Sequence, residues 1–135
     1  MTHLVLPLPI AVNKWPSHPF ARHRVKRKYQ REAWFAACAQ HRPLRTPPSK
    51  VRVSATLYVW NLRDEEGAVG SLKWALDALR QEQQGSEEWR YGVADQCGYF
   101  VDDNPAHLTL GTVEQVIDRK NMRLELTVET IEEAA

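Results

Sequence analysis

The chain has 135 residues, of which 43% are hydrophobic and 26% charged. This suits one domain with a buried core and is too short for two. No apolar run of about 18 residues is present, so no membrane-spanning helix is predicted. The two cysteines, Cys38 and Cys97, form no closely spaced pair, and the expected compartment is the cytoplasm.

The formal net charge of +1 is the sum of a strongly basic first part of the chain and a strongly acidic second part. Residues 1–52 contain eleven Lys or Arg and one acid, whereas residues 53–135 contain seven Lys or Arg and sixteen acids. We therefore expect one basic surface, which suits a polyanion, and one acidic surface, which suits metal ions or a basic partner.

The first elements in chain order are a short apolar strand at residues 4–8 and a loop rich in proline, which should present Asn13 and Lys14. Residues 25–40 have helical spacing. Residues 51–60 alternate between apolar and polar side chains, which predicts a half-buried strand.

The next segment, "NLRDEEGAVGSLKWALDALR" at Asn61–Arg80, places three carboxylates ahead of an apolar-faced helix. Ser71 or one of the preceding acids is the predicted N-cap. The acids Asp64 and Glu66 either complement the helix dipole or belong to a metal site. Lys73 is either a solvated helix residue or reaches a phosphate or carboxylate.

Two further strands, at residues 108–118 and 122–131, are joined by turn residues and predict a β-hairpin. Residues 132–135 form a frayed tail. The order is then β-α-β-α-β-β, which indicates a small single α/β domain over residues 1–135. Its mixed sheet would carry two helices on one face.

A run of positive charge lies at the front of the first helix, with six cations in ten residues and no acid among them. Such a run is typical of nucleic-acid binding through phosphates, without sequence readout, although a solvated helix face is the simpler alternative. The cations are Arg22, Arg24, Lys26, Arg27, Lys28 and Arg31.

The motif "YFVDDNP" contains the adjacent carboxylates Asp102 and Asp103. Neighbouring carboxylates repel one another unless a cation or a hydrogen-bond donor shares them. Mg²⁺ commonly takes one or two protein carboxylates. The same residues also make a good turn sequence, so the motif indicates either a metal site or a turn.

Taken together, these motifs resemble the RusA family of Holliday junction resolvases, found in bacteria and their prophages. The resemblance spans nearly the whole chain and depends on the order and spacing of several short motifs. They are Leu6, Pro7, Pro9 and Asn13; the basic helix; "LKWALDAL" at Leu72–Leu79; Phe100, Val101, Asp102 and Asp103; and "RLELTV" at Arg123–Val128.

The resemblance implies a homodimeric, Mg²⁺-dependent endodeoxyribonuclease that resolves four-way DNA junctions in recombination and repair, with Mn²⁺ as an alternative metal. Lys73 would be the catalytic lysine. Asp103, with Asp102, would hold the metal, which activates water and stabilises charge at the phosphorus. Asn13 and Lys14 would join the basic run in contacting DNA.

One part of the family pattern is absent. The family carries D-x-D-N before its lysine, and counting back from Lys73 places those aspartates on Gly67 and Val69. Either a short insertion lets Asp64 and Glu66 supply the carboxylates, or the site is degraded. A degraded site would leave a protein that binds branched DNA, or a protein partner, without cleaving. A nuclease of unrelated fold is a third alternative.

The extent of the predicted helix bears on whether Asp64 and Glu66 supply the carboxylates or the site is degraded. A helix extended back to Glu66 would put that carboxylate and Lys73 on one face. Gly67 and Gly70 make such an extension costly, which favours the degraded site.

Overall fold

The alternating segment forms β2 (Val51–Val59), an inner strand of a four-stranded mixed sheet. The computed structural model describes residues 1–81 and 97–131. The remaining elements are β1 (Thr2–Leu6), a 3-10 turn (Val12–Lys14), α1 (Pro19–Gln40), α2 (Glu65–Leu79), β3 (Leu108–Ile117) and β4 (Arg123–Thr130). This small domain and its β-α-β-α-β-β order confirm the predicted fold class.

Both helices pack on one face of the sheet. Every second residue of β2 is at most 3% exposed, and Leu124 and Leu126 of β4 are fully buried on the same face. Trp34 of α1 and Leu79 of α2 complete one continuous core. Each such large apolar side chain contributes about 1.5–3 kcal/mol when fully buried. No helix within the described ranges is long and apolar enough to cross a membrane.

The predicted hairpin between the last two strands is wrong. The strand order is β1-β4-β2-β3, so β3 and β4 lie on opposite sides of β2. The connection crosses the end of β2, where the Asp118 N–H donates to Val59 O at 3.0 Å. Two interstrand spacings amount to about 10 Å, which a short connection spans easily. The turn residues therefore predict that the chain reverses its direction, but they do not predict that the two strands they join pair with each other.

Helix α1 begins at Pro19, six residues before the predicted start at residue 25. Proline suits the first turn of a helix because its missing N–H has no partner there. The helix ends at Gln40, whose side-chain amide accepts from the Val5 N–H and donates to Val5 O, both at 2.7 Å. These bonds tie the end of α1 to the edge strand β1.

Helix α2 runs without interruption through Gly67 and Gly70, so the cost expected of these glycines does not prevent the helix from extending back to Glu65. Asp64 is the N-cap, and its Oδ1 accepts from the Gly67 N–H at 2.9 Å. A Cβ at Gly70 would lie 3.1 Å from a methyl group of Val12. The cap and the close approach of the 3-10 turn offset the unfavourable helix propensity of the two glycines.

Candidate functional site

The segment that carries the adjacent aspartates is hydrogen-bonded to the C-terminal end of α2. The Tyr99 N–H donates to Leu79 O at 2.9 Å, and the Gln81 N–H donates to Phe100 O at 2.7 Å. A Cβ at Gly98 would lie 2.5 Å from the backbone of Gln81, so this approach requires glycine. Asp102 and Asp103 therefore follow directly from a contact with the end of α2.

Asp102 and Asp103 are half-buried and lie just before the turn at residues 105–107. The Asp103 N–H donates to Asp102 Oδ1 at 2.7 Å, and the Asn104 side-chain amide donates to Asp102 Oδ2 at 3.2 Å. These bonds occupy the Asp102 carboxylate and give it the role expected of a turn residue. The turn and the carboxylate pair thus coexist in the same motif.

A third carboxylate, Asp77 near the end of α2, belongs to this cluster and was not singled out from the sequence. It accepts hydrogen bonds from Arg80 Nε at 2.6 Å and from Gln30 Nε2 at 3.1 Å, and Lys26 Nζ lies 3.6 Å away. Gln30 is almost fully buried and also donates to Trp74 O at 3.2 Å. The available signal was an acid in a largely apolar helix, four residues after Lys73.

The carboxyl groups of this cluster have opposite electrostatic environments. Burial raises the pKa of Asp103, and the hydrogen-bonded Asp102 and the negative charge of Asp77 raise it further. Burial also acts to raise the pKa of Asp77, but Arg80, Gln30 and Lys26 outweigh it and hold that pKa below its usual value. Within the described part of the chain, Asp103 has no ion-pair partner within 4 Å.

The pKa of Asp102 is also held below its usual value. Burial opposes this shift, but hydrogen bonding with Asp103 and the positive charges of Arg80 and His107 outweigh it. Of the two adjacent aspartates, Asp103 is therefore the one that takes up a proton more readily. Among the residues that the structure describes, it also has no ion-pair partner, and its negative charge repels that of Asp77.

Asp64 and Glu66 lie at the other end of α2, and the structure does not bring them to Asp103. Both are exposed, and the Asp64 carboxylate serves as the helix cap. Asp77, the charged neighbour of Asp103, lies eleven residues beyond Glu66, which is about 16 Å along a helix. Residues 1–81 and 97–131 hold no group of three or more His, Cys, Asp or Glu placed to bind a metal.

Lys73 lies between these two ends on an exposed face of α2. Because the helix is continuous, Glu66 and Asp77 are on the same side as Lys73, seven residues before it and four residues after it. Lys73 is therefore about 6 Å along the axis from Asp77 and about 10 Å from Glu66. The lysine is nearer to the C-terminal cluster.

The basic run lies on α1 and touches this cluster at one point. Arg22, Arg24, Lys28 and Arg31 are exposed, whereas Lys26 and Arg27 are half-buried. Lys26 faces Asp77, so the basic segment of the chain meets the acidic one there. The predicted basic and acidic regions are adjacent in space rather than separated.

Asn13 and Lys14 lie elsewhere, in a groove of about 1010 Å³ beside the N-terminal end of α2. Asp64, Glu66 and Arg63 line the same groove. Arg63 is half-buried, and its Nη1 has no hydrogen-bond partner in the described structure. The structure thus separates Asn13 and Lys14 from the basic run with which they were grouped.

No protein-family model, curated protein or solved structure matches this chain. The function is therefore inferred from the residues and from the geometry of the two ends of α2.

Proposed function

We propose that the protein is a RusA-like, Mg²⁺-dependent endodeoxyribonuclease that binds and cleaves four-way DNA junctions. It would act as a homodimer in recombination and repair in the cytoplasm. The observation that carries the proposal is the contact between Lys26 and Asp77 at 3.6 Å. A phosphate backbone that contacts Lys26 would pass beside the carboxylates of Asp77 and Asp103.

The proposed metal ligands are Asp103 and Asp77, with Asp102 alongside. Mg²⁺ favours oxygen ligands, binds one or two protein carboxylates and keeps several waters, which fits this donor set. The uncompensated charge of Asp103 supports the assignment, because a cation there would relieve its repulsion with Asp77. When bound, the metal would supply an activated water and stabilise charge at the phosphorus.

The protein groups around the cluster have separate roles in this proposal. Lys73, one turn before Asp77, is exposed and would hold a phosphate oxygen. Lys26 would contact the phosphate next to the cleaved bond. Buried Gln30 holds the Asp77 carboxylate in position through its amide.

The direct test uses labelled four-way junctions, Mg²⁺ and purified protein. We expect binding at low salt and symmetric nicks that disappear when the metal is chelated and return with Mg²⁺ or Mn²⁺. Absence of binding at low salt would contradict any nucleic-acid function. Binding without nicking in either metal would leave only the non-cleaving alternative.

That alternative is a RusA-fold protein that binds branched DNA, or a protein partner, without cutting. It is favoured by the use of Asp64 as a helix cap and by its separation from Asp103. The double charge reversal Arg24→Glu with Lys28→Glu distinguishes a protein that binds branched DNA from one that binds a protein partner. Loss of junction binding indicates the DNA form, whereas unchanged junction binding would remove the role of α1 in DNA recognition.

A further inference from the structure

The exposed side of α1 carries a second feature that the carboxylate cluster does not use. Five of its exposed residues follow the spacing i, i+4, i+8, i+11 and i+15, which places them along one side of the helix. We call this row the outer ridge. It consists of Phe20, Arg24, Lys28, Arg31 and Phe35.

The outer ridge is unlike an ordinary solvated helix face. It has three cations, no acid, and an exposed phenylalanine at each end. Phe20 is 76% exposed and Phe35 44% exposed. Within the described ranges, Arg24 and Lys28 form no ion pair. Exposed aromatic rings beside cations are typical of surfaces that bind a nucleic-acid strand.

Phe20 is held in a defined position. It is the second residue of α1, directly after the proline that begins the helix, and its ring lies 5.6 Å from the ring of His18. His18 is also exposed. Two exposed rings therefore stand together at the end of the ridge, where a flat base could stack.

The outer ridge faces away from the carboxylate cluster. Lys26 and Gln30 contact Asp77, and they lie about half a turn around α1 from the ridge. With its side chains a helix is about 10 Å across. A strand lying on the ridge is therefore a different strand from the one beside Asp103.

We propose that the outer ridge binds a second, unstacked strand of branched DNA. Its phosphates would lie on Arg24, Lys28 and Arg31, and its bases would stack on Phe20 and Phe35. The ridge is about 22 Å long, which is long enough to contact several nucleotides of one strand. This inference rests on the proposed DNA-binding function and adds a preference for branched DNA that has a single-stranded arm, since a linear duplex offers no unstacked strand.

The test compares the affinity of the full chain for a fork with single-stranded arms, a four-way junction and a linear duplex of equal length. We expect Phe20→Ala to weaken fork binding by about 5- to 100-fold, the range for loss of one stacked base. Linear-duplex binding should change less than about 2-fold. Phe20→Trp should restore fork binding, and Phe20→Leu, which keeps apolar area without a π face, should not.

Two controls separate stacking from charge. Leu62→Ala removes a side chain of similar exposure, 62%, from a different segment and should leave all three affinities unchanged. Arg24→Ala with Lys28→Ala should reduce the slope of log affinity against log salt on the fork by about 1.4, whereas Phe20→Ala should leave that slope unchanged.

Fork binding that does not depend on Phe20 and Phe35 would overturn the inference. An equal loss on linear duplex would overturn it too. Binding to vesicles of mixed phosphatidylserine and phosphatidylcholine that needs both phenylalanines, with DNA binding unaffected, would assign the ridge to a membrane surface instead. Fork binding that depends on Phe20 without cleavage of any substrate would support the ridge and contradict only cleavage. No fork binding by the unmodified protein would overturn the inference about the ridge, whereas no binding to the four-way junction would overturn the proposed function.

Discussion

The two ends of α2 both carry carboxylates, but the protein uses them differently. At the N-terminal end, Asp64 and Glu66 are exposed and complement the helix dipole, and Asp64 caps the helix. At the C-terminal end, the dipole disfavours negative charge, and Asp77 depends on Arg80 and Lys26 for compensation. Asp103 adds a carboxylate that has no ion-pair partner among residues 1–81 and 97–131. Asp64 at the N-terminal end of α2 therefore stabilises the fold, whereas Asp103 at the C-terminal end lowers its stability.

The largest expected difference between the two ends is in catalysis. Asp103→Asn should lower the rate of junction cleavage by at least about 100-fold, because a metal ligand contributes several kcal/mol. Asp64→Asn should change the rate less than about 3-fold, because asparagine also caps helices. Single-turnover rates on a labelled junction measure both. A comparable loss in Asp64→Asn would place the metal site at the N-terminal end.

The next difference is in packing, and the same added methyl group tests both ends. Gly98→Ala should destabilise the fold by about 1–3 kcal/mol, because its Cβ would meet the Gln81 backbone at 2.5 Å. Gly70→Ala meets only a side-chain methyl of Val12 at 3.1 Å and gains helix propensity, so it should be nearly neutral. Urea denaturation measures both. Equal effects would contradict the close approach at Gly98.

The cap predicts a smaller effect confined to the N-terminal end. Asp64→Ala should cost about 1 kcal/mol of unfolding free energy, and Asp64→Asn much less. Glu66→Gln, which removes a nearby charge but no cap, serves as the matched control and should cost a few tenths of a kcal/mol. If Glu66→Gln proved as costly as Asp64→Ala in urea denaturation, the hydrogen bond to Gly67 would not be the source of the stability.

The smallest expected effect is in the pH dependence of stability, where the two acids at the C-terminal end should have opposite signs. The lowered pKa of Asp77 means that its contribution is present above its unfolded-state pKa and lost as pH falls through its folded pKa. The raised pKa of Asp103 means that stability falls as pH rises from its unfolded-state pKa through its folded pKa.

At neutral pH, therefore, Asp103→Asn should keep or slightly raise the melting temperature, and Asp77→Asn should lower it by a few degrees. Melting curves of both variants between about pH 4 and pH 7 measure these differences. A lower melting temperature for Asp103→Asn throughout that range would mean that the carboxylate stabilises the fold.

The fold class could be predicted from the sequence because the alternation in β2 and the apolar stripe of α2 are strong local patterns. The strands that pair with β3 and β4 could not be predicted, because packing of the core selects the strand pairing and a turn sequence does not encode it. The start of α1 could not be predicted because the helical spacing begins only at residue 25, whereas the helix begins at Pro19, which suits a first helical turn.

The site was harder to predict than the fold. The acids near Lys73 were grouped by their distance along the chain, which favoured Asp64 and Glu66. The contact between residues 97–103 and the end of α2 instead brings Asp103 to Asp77, and Gln30 reaches the same carboxylate from α1. The hydrogen bonds that make these contacts join residues at least 19 positions apart, so no short sequence motif predicts them.

Paramagnetic broadening by Mn²⁺ tests the assignment of the metal site to the C-terminal end of α2 most directly. Substoichiometric Mn²⁺ is added to ¹⁵N-labelled protein without DNA, and the loss of each backbone amide signal is recorded, with excess Mg²⁺ as the competitor. We predict selective loss of the signals of Asp77, Asp103 and their neighbours, with the Gly67 signal retained. Selective loss at Gly67 and Glu66, or no selective loss at either end, would contradict the assignment.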